Sequence, residues 1–431
     1  MLQTFRTRLG QSLTGSLQPA AAQKVRRNLT VELYSALAFG VFQAATIAFI
    51  PVILRRSGAS PSMLAIYTST QFVGSVLTAF SIVLMRRRRT MSIILSSWVA
   101  SRTLMALFAF VVQPIWMVVL STLFWLLEAF PSPGYVRILQ SIYPDDVRGK
   151  MMSLVRMGRI LSMVAAAPLA GWALDHWGYQ ALFPVGAFMG LLSVFFFARL
   201  EVNEPPLAPR QTRTLAELRQ ILREDKRFSY FLTAFSVYGT GTLMSWTLYP
   251  LVQVDRLGLS YSDLGWLGLV QSLFWFLSYA FWGRIVDRAG GVAVLRGNAM
   301  VALFLPLLYA NANSFGMLIP AFVIQGVISA GWDMGLINAG IQLAKPDQIS
   351  EYAAVQSTVV GVRGILVPHI GIGLIALGVP MNGVFVLSAL LMAVSVWLLG
   401  RVQVVTPQEP AFAERRHLRY RWPMRFRLPR F

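Results

Sequence analysis

Four ionisable side chains stand deep inside long apolar runs. They are Arg102 in SSWVASRTLMALFAF, Glu128 in LSTLFWLLEAF, Asp333 in VISAGWDMGLINAG and Arg363 in VVGVRGILV. A charge in such surroundings is costly and faces a cavity or a partner. A carboxyl placed there loads and unloads a proton as its exposure changes, which is the chemistry of a proton or substrate relay. Glu128 and Asp333 are the candidates for that role. Arg102 and Arg363 either bind an anionic solute or neutralise the two acids, and the sequence leaves both uses open. Polar groups at similar depth need partners, so Gln43, Trp246, Gln271, Trp332, Asn338 and Gln342 are candidates for the wall of a substrate cavity. Hydrogen bonding between helices is their alternative use. The stretch SAGWDMGLINAGIQ, residues 329–342, carries the most such groups. Arg156 and Arg159 lie near the end of an apolar run and are expected to reach out to the surface. Glu32 opens the first run. His369 reads as structural or interfacial, with a proton-relay role as its alternative.

None of these groups forms a catalytic set. There is no phosphate-binding glycine loop followed by Lys and Ser or Thr, and no nucleophile elbow. Three scattered histidines and no cysteine give no metal-ligand spacing, no disulfide and no thiol nucleophile. The reading is of a protein that is not an enzyme, has no cofactor or metal, and does not by itself run on ATP.

The elements that hold these residues follow from composition. Of 431 residues 56% are hydrophobic and 13% charged, where a soluble domain carries about 25% charged residues, and the mean hydropathy is +0.59. About twelve apolar runs reach the length of roughly 20 residues that crosses a bilayer. Their expected limits are 31–54, 62–85, 91–112, 116–137, 151–173, 181–199, 229–252, 262–283, 292–311, 315–341, 352–377 and 380–400. The fold class is therefore an all-α integral membrane protein. Assigning the Lys and Arg residues to alternate sides puts 33 on one side and three, Arg55, Arg56 and Arg256, on the other. Positive residues stay cytoplasmic, so both termini are expected inside, in a plasma membrane such as a bacterial inner membrane. This asymmetry also accounts for the net charge of +20 without nucleic acid as a partner.

The expected organisation is a cytoplasmic segment 1–30, a six-helix bundle 31–200, a linker 201–228, a second bundle 229–400 and an Arg-rich tail 401–431. In the linker, TLAELRQILREDKRF has a capping-box spacing between Thr214 and Glu217 and an apolar face of Leu215, Leu218, Ile221 and Leu222. The tail RRHLRYRWPMRFRLPRF alternates Arg with aromatics and is expected to meet anionic lipid headgroups. Comparison of residues 56–77 with 256–277 shows seven identities in 22 positions, among them Arg56/Arg256, Gly58/Gly258, Ser60/Ser260 and Gln71/Gln271. The two halves read as parallel repeats.

Between two of the apolar runs stands GRIVDRAGG, residues 283–291. Twelve spans, both ends inside, a basic central linker and this stretch resemble the major facilitator superfamily of secondary transporters. Gly283, Asp287, Arg288 and Gly290 match that family's cytoplasmic loop signature. The resemblance implies two six-helix bundles rocking about a midplane site, with this loop as a cytoplasmic gate whose Asp pairs with neighbouring helix ends. The equivalent loop of the first half, MRRRRTM, keeps the basic residues but lacks the Asp and both glycines. APLAGW, residues 167–172, is similar to an antiporter pattern of the family. The function expected is alternating-access transport of a small-molecule substrate, coupled to protons, by a monomer in the bilayer, with efflux of amphipathic compounds favoured. The alternatives are uptake of a small polar or anionic solute, or a non-transporting sensor or assembly protein on the same fold.

Overall fold

A computed structural model describes residues 19–85, 87–203, 215–345 and 348–402. Thr214 and the Arg-rich tail beyond residue 402, both singled out from the sequence, lie outside the described residues. Every described element is helical. In the first half these are α1 (Pro19–Ala45), α2 (Ile50–Arg56), α3 (Pro61–Met85), α4 (Thr90–Leu107), α5 (Pro114–Ala129), α6 (Ser132–Ile142) and α7 (Asp145–Phe197). A linker helix, α8 (Leu215–Glu224), leads to α9 (Lys226–Trp246), α10 (Tyr249–Leu251), α11 (Tyr261–Ala302), α12 (Phe304–Asn311), α13 (Phe315–Leu343), α14 (Ile349–Ala376) and α15 (Met381–Gly400).

Among the described residues, eight helical stretches are long and apolar enough to cross a membrane. Two of them, α7 with 53 residues and the 51-residue stretch Tyr261–Asn311, would each be about 75–80 Å long if straight. Each breaks at one glycine: Gly178 at φ 73°, ψ 168° and Gly290 at φ 81°, ψ 179°. That backbone region is essentially glycine's own, so each long helix folds back as two spans. Together with α3 (25 residues) and α9 (21 residues), the arrangement is consistent with twelve spans.

Successive turns alternate between two faces. The basic face carries Arg87, Arg88 and Arg89, all exposed, the start of α7, and the Gly290 turn. The opposite face carries the turns at Gly58, Gly178, Gly258 and Gly378. The repeat is visible in backbone detail. Gly58 and Gly258 both have positive φ, 89° and 57°, and close helix C-termini with similar hydrogen bonds. Ser60 and Ser260 then cap the next helices, each accepting from the backbone N–H three residues on, at 3.3 Å and 3.0 Å.

The two halves touch toward the opposite face. Arg55 donates from Nε to both oxygens of Asp255 at 2.9 Å, so residues 200 apart in the repeat meet each other. The Arg56 guanidinium lies 3.9 Å from the centre of the Tyr261 ring and donates to the Leu259 carbonyl. Asp175 caps α11 from across the seam, accepting from the backbone N–H groups of Tyr261 and Ser262 at 3.0 and 2.7 Å and from the Ser262 hydroxyl at 2.5 Å. Just inside this cap, Gly171 and Gly265 let α7 and α11 cross backbone against backbone. A Cβ on Gly171 would stand 2.3 Å from the Tyr261 carbonyl oxygen. Deeper in, the Ser69 hydroxyl donates to the Ile365 carbonyl at 2.8 Å and meets His369 Nε2 at 3.2 Å, and the Phe72 ring packs over Gly364.

Candidate functional site

A cavity of about 310 Å³ lies between the halves, toward the basic face. α1 brings Glu32, Ser35, Ala36 and Phe39. α4 brings Trp98 and Arg102, α5 Glu128, and α6 Tyr135. α7 brings Val155, Arg156, Arg159, Ser193 and Phe197, and α13 brings Asp333. Three acids and three guanidiniums therefore share one space, and they are used unequally.

Arg102 and Glu128 consume each other. Arg102 is 2% exposed. It donates from Nη2 to Glu128 Oε1 at 3.1 Å and from Nη1 to Oε2, and Nη1 also donates to the Ser101 hydroxyl at 2.7 Å. The rings of Phe39 and Phe42 lie 4.9 and 5.0 Å from its guanidinium carbon, close enough for cation–π attraction. The arginine stem fits because Gly190 has no side chain: a Cβ there would stand 2.7 Å from Arg102 Cδ. Of the two uses the sequence allowed Arg102, neutralising an acid is the one seen.

Glu32 and Asp333 are held differently. Glu32 is 2% exposed and accepts hydroxyl protons from Tyr135 at 3.0 Å and Tyr143 at 2.6 Å. Asp333 accepts from the Tyr279 hydroxyl at 2.5 Å and from Trp275 Nε1 at 3.3 Å. Neither forms an ion pair among the described residues. Each half thus presents a carboxyl gripped by phenol. Arg156 and Arg159 face the same cavity rather than reaching to the surface, because the helix face that carries them turns toward the other half. They make no ion pair and no side-chain hydrogen bond among the described residues. Arg159 lies 5.5 Å from the Trp275 ring, with Nε buried and unpartnered.

The other residues singled out from sequence lie elsewhere. Trp246 is 45% exposed at the end of α9, outside the cavity, where an amphipathic indole suits the interface. Gln43 is part-buried, with Oε1 unpartnered, and Gln271 runs against Gly326. Neither lines the cavity. Trp332 stacks on Phe235 at 5.4 Å. Asn338 donates to Met334 of its own helix at 2.7 Å. Gln342 accepts from the Val292 backbone N–H at 3.2 Å and so ties α13 to the Gly290 turn, where Gly291 packs directly on the backbone of Asn338 and Ala339. In that turn Asp287 and Arg288 are exposed and make no ion pair among the described residues, while Gly283 meets only ordinary contact from Met334. Arg363 is buried outside the cavity lining.

Sequence reasoning missed Glu32, Arg156 and Arg159 as cavity residues, and the three tyrosines. One signal was available for Glu32. No basic residue stands three or four positions away on its helix, so it has no local ion-pair partner. The tyrosines had no such mark.

A two-bundle helical membrane protein with a central charged cavity is the class that this architecture defines. The family model of the Major Facilitator Superfamily matches residues 33–298, and the chain belongs to that family of secondary transporters. A search of curated proteins finds no match. Among solved structures, a mutant of the nucleoside transporter NupG superposes with a TM-score of 0.67 at 12% identity, covering 87% of this chain and 99% of its own. A POT family transporter in complex with a thioalcohol-conjugated peptide gives 0.65 at 12% identity, covering 91% and 96%. A bacterial homolog of the human lysosomal transporter Spinster, inward-facing and unoccupied, gives 0.56 at 13% identity, covering 90% and 96%. At such identities the likeness is one of fold.

Proposed function

We propose that the protein is a proton-coupled transporter that takes up a small polar solute carrying an anionic group. One observation carries this reading. Two carboxyls gripped by phenols, Glu32 and Asp333, share a cavity with two guanidiniums, Arg156 and Arg159, that have no acid of their own. With both acids ionised, these four groups are electrically balanced. With both protonated, two positive charges are left for the solute. Proton loading and anion binding therefore favour each other, which is the coupling a symporter needs. Phe39, Trp98 and Phe197 form apolar wall that suits the rest of the solute. The charged floor favours a polar anion over the amphipathic compounds that composition alone pointed to.

With the basic face cytoplasmic, the seam of Arg55, Arg56, Asp175 and Tyr261 closes the outer side, and the cavity gives on to the cytoplasm. The exposed Asp287 and Arg288 are then an opened gate, to be paired when the bundles rock the other way. A monomer suffices for this cycle. The test is uptake of labelled small carboxylates into proteoliposomes with an imposed acid-outside gradient, alongside a pH-sensitive dye. Solute-dependent proton entry is expected in the wild type. Glu32→Gln and Asp333→Asn are expected to lose it while keeping solute exchange. Uptake that ignores the gradient overturns the coupling, and the absence of any solute-dependent flux favours a non-transporting role.

A further inference from the structure

The indole of Trp275, on α11, touches a cavity residue of each half. Its Nε1 donates to Asp333 Oδ2 at 3.3 Å, beside the Tyr279 hydroxyl that reaches the same oxygen at 2.5 Å. Its ring lies 5.5 Å from the guanidinium carbon of Arg159 on α7, within the range of cation–π attraction. The same ring packs on a first-half cluster made by Ala44 of α1 and by Met163, Ala166 and Ala167 of α7. Gly326 fixes the backbone behind it. A Cβ there would stand 2.8 Å from the Trp275 nitrogen and 2.3 Å from the Gln271 carbonyl oxygen, so α11 and α13 cross in direct contact. Arg159, by contrast, is lightly held: it makes no ion pair among the described residues, and its Nε is buried and unpartnered.

We infer that Trp275 is a positioning residue that passes the protonation of Asp333, in the second half, to the anion anchor Arg159, in the first. This rests on the proton-coupled, anionic-solute reading above and adds the residue that links its two events. The link is electronic. An N–H that donates to a carboxylate is polarised, and polarised partners strengthen one another. The ring face then attracts a cation more strongly. With Asp333 ionised, Trp275 holds Arg159 against the seam between the halves. With Asp333 protonated the hold slackens, and the guanidinium is free to meet a solute in the cavity that it lines. The other charged and titratable groups around this space are Glu32 from α1, the Arg102–Glu128 pair from α4 and α5, Tyr135 from α6, Arg156 from α7 and Tyr279 from α11. The other helices packed on α13, α12 and α14, give Asp333 no hydrogen bond or ion pair among the described residues.

The experiment is thermal stabilisation of the purified full chain by acetate, lactate and benzoate, each titrated at about pH 5.5 and pH 7.5 and at matched ionic strength. At least one of them is expected to bind wild type more tightly at the lower pH. Trp275→Phe keeps a ring, but it loses the N–H and offers a cation a weaker face. It is expected to bind that carboxylate about two- to fivefold more tightly than wild type at the higher pH, with little change at the lower, so the ratio between the two shrinks. Trp275→Leu removes both contacts and should shrink it further. A purely structural role for the indole would weaken binding at both pH values and leave their ratio alone. A ratio equal to or above that of wild type in Trp275→Phe therefore overturns the role of Trp275. Wild type that binds none of the three, or binds them equally at both pH values, overturns the proton-coupled anionic reading itself. If Trp275→Leu does not fold, Trp275→Phe decides.

Discussion

Removing the cation from the Arg102–Glu128 pair is expected to destabilise the fold far more than removing the pair. Arg102 is 2% exposed and the Glu128 side chain 17%, so Arg102→Met leaves a carboxylate facing a partly closed cavity without its counter-ion. Breaking one side of a fully buried pair costs about 3–5 kcal/mol. The Glu128 side chain stays partly exposed, which places the expected cost near the lower end, about 3 kcal/mol. The cation–π contacts to Phe39 and Phe42 at 4.9 and 5.0 Å add roughly 0.5–1 kcal/mol each, offset in part by the packing that methionine retains. For a chain of this size 1 kcal/mol moves the melting midpoint by about 1 °C, so a fall of about 3–4 °C is expected in Arg102→Met. The double variant Arg102→Met with Glu128→Leu removes the orphaned charge and is expected to melt within about 1 °C of wild type. The assay is tryptophan fluorescence on detergent-purified protein at one fixed scan rate, because irreversible unfolding makes the midpoint rate-dependent. The reasoning is refuted if the single and double variants melt together. The same double variant also assigns Glu128. With the acid spent on Arg102, proton-coupled uptake should survive, whereas loss of uptake in folded protein would put Glu128 in the relay.

The remaining expectations concern the seam and the turns. Gly171→Val drives side-chain atoms into the Tyr261 carbonyl, 2.3 Å from the Cβ position, and should open the outer seam. The chain has no cysteine, so maleimide labelling of Phe49→Cys, placed beneath Tyr261 at a site 4% exposed, reads that opening directly. Unchanged labelling would count against the crossing as the closure point. Burial pushes the Asp175 carboxyl up, but the hydroxyl and backbone N–H of Ser262, the backbone N–H of Tyr261 and the charge of Arg56 outweigh it and hold the group below its usual 3.8. A lowered folded-state value means that the cap's contribution is fully present above 3.8 and is lost as pH falls below it. Labelling at Phe49→Cys in outside-acid medium should therefore rise only below about pH 4, and Asp175→Asn should show the raised level at neutral pH. Gly290→Ala forces a φ of 81° on a residue with a side chain and crowds Gln342, and should cost about 1–3 kcal/mol, measured as a lowered melting midpoint. A midpoint equal to wild type would mean that the turn relaxes without needing glycine.

The spanning runs, the basic asymmetry and the half-to-half repeat were all legible in the sequence. Each is a property of the chain read along its length: hydropathy over about 20 residues, charge by loop, and identity at an offset of 200. The reversal at Gly290 was legible too, because a tight turn at φ 81° needs glycine there whatever surrounds it. Depth in the membrane also marked Glu128 and Asp333 as unusual.

What each charge is used for was decided only in three dimensions. Glu128 is neutralised by Arg102 from 26 residues away, while Glu32, at the edge of its run, is drawn into the cavity by Tyr135 from 103 residues away. Arg156 and Arg159 look like surface anchors by position in the chain, yet their helix face turns inward against the second half. His369 meets Ser69 across 300 residues. Hydropathy records that a charge lies in an apolar run but not which helix packs against it. The cost of a buried charge depends on that partner as well as on desolvation, so the same residue type reads as a spent pair at Arg102 and, at Arg363, as a cation held by the Phe235 carbonyl with no acid among the described residues.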